Sequence, residues 1–504
     1  MYLSAKEKFC YPLLALVTIL WISAFSLLGM DLHHDGIMFK AAADAAAGKW
    51  LFKEIFCQYG ILTPLVQGAV LKIAGVELAA LKIAAAVVYG GIILLSDLLW
   101  RRFLSLPGRL LNGVMFFVLA PYLFVPFHIW SSVYALFFML LGTEFFLLGL
   151  EKEKSRFFVF SGICAMAAFG FRWPCGVVTL LAALIVCGAA AFAGCRAFQK
   201  TFFPFLAGGG AVALLFALYL TAGGAWHDFF RQTFSFVGKF AWERGGSGSF
   251  YRLIETFFPH GETMNFIFSF IPLGALGLFF FYIRKFFKTP AAGKEDISLI
   301  ALLVFGLAAW HQYYPVPCVR HLYWGALPLF GAYAFLIEKI AGTPRFDKVK
   351  KGLFLFLLFL PLVWGGALRM YGGVFRLSEF FSRKAVDLPG VRYIRHGRGE
   401  AFICRFAQDL HRNMPPALKA RGVFNYTADG IWSVILPPFR HFEHPMFVNW
   451  QNDVYADYPA KALACISTHK PAVLASTPFF HPEYIQIAEF QYMGVTYRLF
   501  VPRS

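Results

Sequence analysis

Runs of about 20 apolar residues recur through the first three quarters of this chain, and short stretches rich in lysine and arginine separate them. No other feature limits the fold as strongly. A run of that length crosses the hydrocarbon of a bilayer as one helix. In that solvent every backbone N–H and C=O has to be satisfied within the protein, which leaves helices or a closed barrel. The runs are continuous rather than alternating, so helices are expected. Of the 504 residues 59% are hydrophobic and only 15% are charged, against about a quarter charged in soluble domains. The net charge of +18 does not mark a nucleic-acid binder, because the basic residues sit in short clusters between apolar runs. That is how cytoplasmic loops are held inside, and anionic lipid headgroups are the natural partners of such clusters.

Spans marked this way cover residues 9–29, 79–99, 110–127, 130–150, 157–171, 174–194, 202–222, 265–283, 297–310, 321–337 and 352–369. The expected fold is an α-helical polytopic membrane protein of about 11 transmembrane helices. Interfacial helices lie in the first outer loop, and a C-terminal extracytoplasmic α/β domain closes the chain. Residues 1–370 form the membrane domain, with the first outer loop at 31–78, and residues 371–504 form the terminal domain. The piece at 61–75 is apolar but short, carries Pro64, Gln67 and Lys72, and suits an interfacial helix better than a crossing. With Lys6 and Lys8 inside, every dense basic cluster then falls on the cytoplasmic side. The first loop, Arg172, residues 223–264, residues 311–320 and the terminal domain fall on the other. The 13 histidines all lie at or beyond the outer helix ends, and imidazole titrates near neutrality. The chemistry is therefore expected on the extracytoplasmic side of the inner (plasma) membrane.

Lys6 and Lys8 precede an apolar run as in a signal peptide, but no small-x-small cleavage site follows, so an uncleaved first helix is expected. The nine cysteines show no CxxC and no metal-ligand spacing, and read mostly as small apolar residues. Cys404 and Cys465 fall in the terminal domain, where an oxidising compartment would permit a disulfide between them. That domain alternates β-type runs at 422–426, 472–475 and 496–501 with a helical patch at 402–413. It carries no nucleotide-binding glycine pattern and no triad signature.

The residues that could carry chemistry start with Asp31, His33, His34 and Asp35, crowded where a helix leaves the bilayer. Ionisable groups at that depth are costly and mark function. One carboxylate could take a proton from an acceptor hydroxyl, and the cluster could bind an anion or a divalent metal, although its spacing alone does not specify a metal. The structural alternative is a helix cap, since Asp35 precedes Gly36 and an alanine-rich helix. Arg172 lies in FGFRWP, and Arg320 and His321 in PCVRHLYW. Each arginine reads either as a snorkelling interfacial residue or as a phosphate clamp. His311 and Gln312 could add donors across the same short loop. Lys53, Gln58 and Tyr59 could line the mouth of the site. Trp226, His227, His260 and Glu262 read as a solvated loop, with a lid as the functional alternative. Lys82 and Asp97 read as boundary residues.

With those residues in view, the first half resembles the GT-C superfamily of membrane glycosyltransferases, which includes the protein O-mannosyltransferases and the lipid A aminoarabinose transferase. The features that match, in order over roughly residues 9–200, are a first helix and an acidic motif at Asp31 and Asp35. An Ala/Gly-rich helix follows, ending in Gly48-Lys49-Trp50. The segment from Gln58-Tyr59-Gly60 through Pro64 to Gly75 comes next, and then the second span. Relatives often carry an acidic pair in direct succession, whereas two histidines intervene here, so the resemblance does not say which Asp is the base. It implies a polyprenyl-phosphate sugar donor and a glycan, lipid or protein acceptor on the outer side. Transfer would be a single displacement with inversion, with Asp35 or Asp31 as base and Arg172, Arg320, His321 and His311 on the departing phosphate. It implies no nucleotide and leaves a divalent metal open. Rival readings are a polysaccharide polymerase or ligase with a diphosphate-lipid donor, a transporter of lipid-linked sugars, and an inert envelope scaffold. A transporter would show mid-bilayer charges and internal repeats, and no repeat is visible.

Overall fold

The computed structural model describes residues 5–194, 197–235, 238, 263–288, 294–313, 318–344, 347–439, 455 and 457–503. His260, Glu262 and the glycine-serine run at 245–249 lie outside them. The membrane domain begins with α1 (Ala5–Ser26), α2 (His34–Ala46), α3 (Leu62–Ala74), α4 (Leu78–Trp100) and α5 (Leu106–Val118). It continues with α6 (Ser131–Lys152), α7 (Ser155–Phe171), α8 (Trp173–Phe192), α9 (Phe198–Ala222) and the short α10 (Trp226–Phe230). Then come α11 (Ile267–Lys288), α12 (Lys294–Ala308), α13 (Val319–Ala326), α14 (Phe330–Gly342) and α15 (Lys348–Ser382). Eight helical segments among the described residues are long and apolar enough to span a membrane, and α1, α5 and α7 are shorter apolar helices at the other expected spans. The chain is a multi-pass membrane protein. The 13-residue α3 stands where an interfacial helix was expected.

Three spans differ from the expectation, and proline explains two of them. The third ends as a helix at Val118, after about 20 Å of rise. Residues 119–130 then run through a 3₁₀ turn at Pro121–Leu123 and past Pro126 as irregular chain. Proline removes an amide donor and disfavours helix in the residue before it. This irregular segment is buried in the bundle, with Leu123, Phe127, His128 and Ile129 nearly inaccessible, the condition under which non-helical backbone is tolerated at such depth. The tenth span breaks at Leu327–Leu329, around Pro328, into α13 and α14. The last span is 35 residues long, starts on an Asp347 carboxylate that accepts the Lys350 amide at 2.8 Å, and continues to Ser382.

The terminal domain contains α16 (Arg398–Asn413), α17 (Pro416–Arg421), β1 (Val423–Tyr426), α18 (Trp432–Ile435), α19 (Tyr458–His469), β2 (Ala472–Ala475), β3 (Tyr484–Tyr492) and β4 (Val495–Pro502). Strand order is β1-β2-β4-β3, with β1 parallel to β2 and the other pairs antiparallel. The β3–β4 turn is Met493-Gly494, both at positive φ, as a two-residue hairpin turn requires. Neither Cys404 nor Cys465 is in a disulfide among the described residues. Cys404 faces His396 at 3.5 Å on a buried helix face, so the permitted disulfide is not formed.

Candidate active site

The first loop is fixed at both ends before it presents any side chain. After α1 the backbone of Gly29 donates to the Arg395 carbonyl at 2.9 Å, and Arg395 returns a bond to Leu27. Gly29 has φ +75 and leaves no room for a side chain beside Glu400. Arg376, buried on α15, donates to the carbonyls of Leu28 and Tyr122 at 2.9 Å each and also to Val125. One guanidinium thus ties the segment before Asp31 to the irregular segment before His128.

The two aspartates have separate roles. Asp31 Oδ1 accepts the amides of His33 and His34, at 3.0 and 2.7 Å, so Asp31 rather than Asp35 satisfies the free N–H groups at the start of α2. Its Oδ2 lies 3.1 Å from His34 Nδ1 and 3.9 Å from His128 Nε2, and its side chain keeps 22% exposure. Burial opposes its ionisation, but the hydrogen bond from His34 and the nearby imidazoles outweigh burial and hold its pKa far below the usual carboxylate range. Asp35 has no exposure. Its carboxylate is taken up by Lys82 Nζ at 2.9 Å, His128 Nδ1 at 3.2 Å and the Asp31 amide at 3.1 Å. Burial pushes its pKa up, yet the Lys82 ammonium and His128 bring it below the ordinary value. The expectation that Asp35 takes an acceptor's proton meets this geometry: the carboxylate has no exposure, and three donors already hold it. Lys82 is likewise no boundary residue. It is fully buried, and it also donates to the Phe127 carbonyl at 2.6 Å, so the ion pair anchors the 119–130 segment. Asp97 pairs with Arg109 at 2.7 Å.

His128 was not singled out in the sequence. Its Nδ1 donates to Asp35, which leaves Nε2 as a lone-pair nitrogen that is buried without a hydrogen-bond partner. Burial lowers its pKa to about 4 against the pull of Asp35, with Arg320 adding to the decrease, so it is neutral near pH 7. Asp31, His34 and His128 each offer one ligand atom, all within 4.8 Å of one another. One carboxylate and two imidazoles suit a divalent metal such as zinc or manganese. A carboxylate behind the second imidazole is the usual outer support of such a ligand. His33 points the other way. Its Nδ1 meets the Ala428 carbonyl at 2.9 Å and Asp429 at 3.7 Å, and Asp429 accepts the Tyr497 hydroxyl at 2.5 Å. Gly36 touches the Gly430–Ile431 backbone, where a Cβ would overlap Ile431 N.

Aromatic rings link this acidic pole to the arginines. His34 packs 5.4 Å from His128 and 5.2 Å from Trp130, and Trp130 lies edge-on to Tyr59 at 5.0 Å. The Arg172 guanidinium lies over Tyr59 at 5.9 Å and donates to Ser132 Oγ. Gln58 is buried beside Tyr59. His311 holds the Ala308 carbonyl at 2.8 Å and faces Cys175 at 3.9 Å. Gln312 is buried with both side-chain polar atoms unpartnered, and so is Arg320 Nε. His321 packs on Trp324 at 5.6 Å, whose indole N–H donates to Tyr89. Lys53 pairs with Asp228 on α10 at 2.8 Å. Trp226 on α10 is partly exposed and stacks on Phe230 at 6.0 Å. An apolar cavity of about 260 Å³ lies between α7, α9 and α10, and its rim includes Gly60, Gly170 and Trp173, the neighbours of Tyr59 and Arg172.

Lys82, His128, Trp130 and Ser132 were missed in the sequence. Two signals were there: a lysine one turn into an apolar run, and a histidine behind two prolines within five residues of each other.

No family model and no curated protein matches the chain. Among solved structures it is similar to ArnT from Cupriavidus metallidurans bound to undecaprenyl phosphate, at 12% identity and a TM-score of 0.58, over 99% of this chain and 98% of that one. It is also similar to the oligosaccharyltransferase of Archaeoglobus fulgidus in its apo form, at 12% identity and a TM-score of 0.52, over 94% of this chain and 70% of that one.

Proposed function

We propose that this chain transfers a sugar from a polyprenyl-phosphate donor to an acceptor by single displacement with inversion, a reading its GT-C fold supports. The observation that carries this reading is the pairing of an accessible carboxylate–imidazole pair, Asp31 and His34, with Arg172 across the Tyr59–Trp130 bridge, beside an apolar cavity. The acceptor hydroxyl gives its proton to the Asp31–His34 pair as its oxygen attacks the anomeric carbon. Asp31 orients the ring through Nδ1 and stabilises the imidazolium that forms, which leaves the other ring nitrogen as the proton acceptor. The bond to the lipid phosphate breaks, and its charge grows against Arg172 and Arg320, fixed donors that stabilise developing charge. His311 and Gln312, the latter buried with both polar atoms unpartnered, would complete that pole. The prenyl chain enters the cavity rimmed by Gly60 and Trp173; the undecaprenyl phosphate in the ArnT structure supports this carrier. Were a divalent cation held by Asp31, His34 and His128, it would polarise the acceptor oxygen in place of proton uptake by the Asp31–His34 pair.

The charge distribution along α4 and α6 supports an extracytoplasmic site. Lys82 and Ser132, at the N-terminal ends of these helices, belong to the site, while the Arg102–Glu144 pair lies at their other ends, next to the basic residues of 101–109 and 152–156. By the positive-inside rule that basic end belongs in the cytoplasm, which supports a site and a terminal domain on the extracytoplasmic side. Incubating purified protein with a panel of polyprenyl-monophosphate sugars and measuring release of the lipid phosphate tests the proposal. Release that Asp31→Asn and Arg172→Ala suppress is expected. Silence across the panel, with turnover of a diphosphate-linked donor, would instead establish the polymerase or ligase reading.

A further inference from the structure

We infer that the groove between the end of α15 and helix α16 binds a discrete acidic saccharide, one that carries phosphate or carboxylate groups along its length. The groove encloses about 1030 Å³. Along it α16 presents Arg398, Arg405 and Arg412. Seven residues are about 20° short of two helical turns, so the three share one face. At about 1.5 Å rise per residue they stand roughly 10 Å apart, in a row about 21 Å long. All three are exposed, and none makes a hydrogen bond or ion pair among the described residues. The opposite face of α16 is committed to the domain core through Ile403, Cys404 and Ala407. On the facing wall Arg383 is paired with Glu379 at 2.6 Å, and Lys384 is exposed. Asp387 and Asp409 also line the groove, so four uncommitted cations face two uncommitted carboxylates.

Guanidinium groups in a row recognise planar carboxylates and phosphates through paired N–H donors. The spacing suits repeated charges on an extended ligand, not one ion. The concavity favours a ligand that enters over a bilayer surface, which is flat. A neutral saccharide would leave the row unpaired. The groove also shares a wall with the first loop. Gly397, on its floor, donates to Glu400 Oε2 at 2.8 Å, and Glu400 Oε1 accepts the amide of Met30 at 3.3 Å, one residue before Asp31. A ligand seated there would lie beside the loop that carries Asp31. That the acidic ligand is a saccharide rests on the glycosyl-transfer reading, but the titration reads binding alone, so its failure leaves the lipid-phosphate release assay standing.

The test is a titration of full-length protein in neutral detergent at low salt with fluorescently labelled tetragalacturonate, a linear acidic tetrasaccharide, and with maltotetraose as its neutral counterpart. Saturable binding of the acidic ligand only is expected. It should weaken about tenfold or more in the triple variant R398E/R405E/R412E, the combined effect of three exposed charge contacts. The triple Arg→Gln variant should show a smaller loss, and Lys461→Glu, outside the groove, none. Unfolding temperatures matched to the parent protein keep a binding loss interpretable. Equal affinity in the charge-reversed variant, equal binding of both saccharides, or binding only to vesicles containing phosphatidylglycerol would overturn it.

Discussion

At the scale of residues, the two acids of the first loop are separated by access. Asp31→Asn is expected to lower transfer at least about 100-fold, the range for a lost acid–base group. Stability should fall as well, because an asparagine oxygen still accepts the amides at the start of α2 but the charged contact with His34 is lost. Lys82→Met leaves the Asp35 charge buried without its cation and should destabilise by about 3–5 kcal/mol. The double variant Lys82→Met/Asp35→Leu should recover much of that loss, a coupling that denaturation of all four proteins would measure. His396 gives a pH signature. Burial lowers its pKa from 6.5 to about 4, so the unfolded chain takes a proton that the folded protein refuses. Its contribution is complete above pH 6.5 and is lost as pH falls toward 4, up to about 3 kcal/mol. His396→Gln should flatten that acid limb of the unfolding temperature against pH.

At the scale of elements, most of the helices were legible because span length is set by bilayer thickness. The terminal strands β1, β2 and β4 were legible from their Val, Ile, Tyr and Phe runs, whereas β3, with Gln486, Glu489 and Gln491 in its run, was not. The segment at 119–130 was misread because its apolar residues look like a span, although Pro121 and Pro126 forbid one. The helix ends could be placed, but which ends meet was not written locally: that Lys82 faces Asp35, or that Arg376 reaches Leu28 and Tyr122, is decided by packing across the whole bundle. Small residues set one such packing. Gly162 on α7 and Gly208 on α9 each sit against the partner helix's backbone, at the Phe205 and Val159 carbonyls, the close approach that glycine permits between membrane helices. Gly208→Val should push the pair apart and cost about 1–3 kcal/mol, read as a lower unfolding temperature. Because α7 and α9 wall the apolar cavity, long-chain donors should lose more rate than short-chain ones.

At the scale of the whole molecule, the candidate site draws on helices far apart in the chain, and Arg395 and Glu400 hold the loop that carries Asp31. If its carboxylate and two imidazoles hold a cation, calorimetric titration with zinc or manganese should give one saturable site per chain, and His128→Ala should abolish it. That variant leaves Asp35 with Lys82 and the Asp31 amide. The backbone contact between Gly36 and Gly430 has its own consequence. Neither surface can take a side chain there without meeting the backbone of the other, so the loop and the terminal domain fit as a matched set. A chimera that carries a foreign terminal domain on this bundle should misassemble unless the donor's own first loop is transplanted with it.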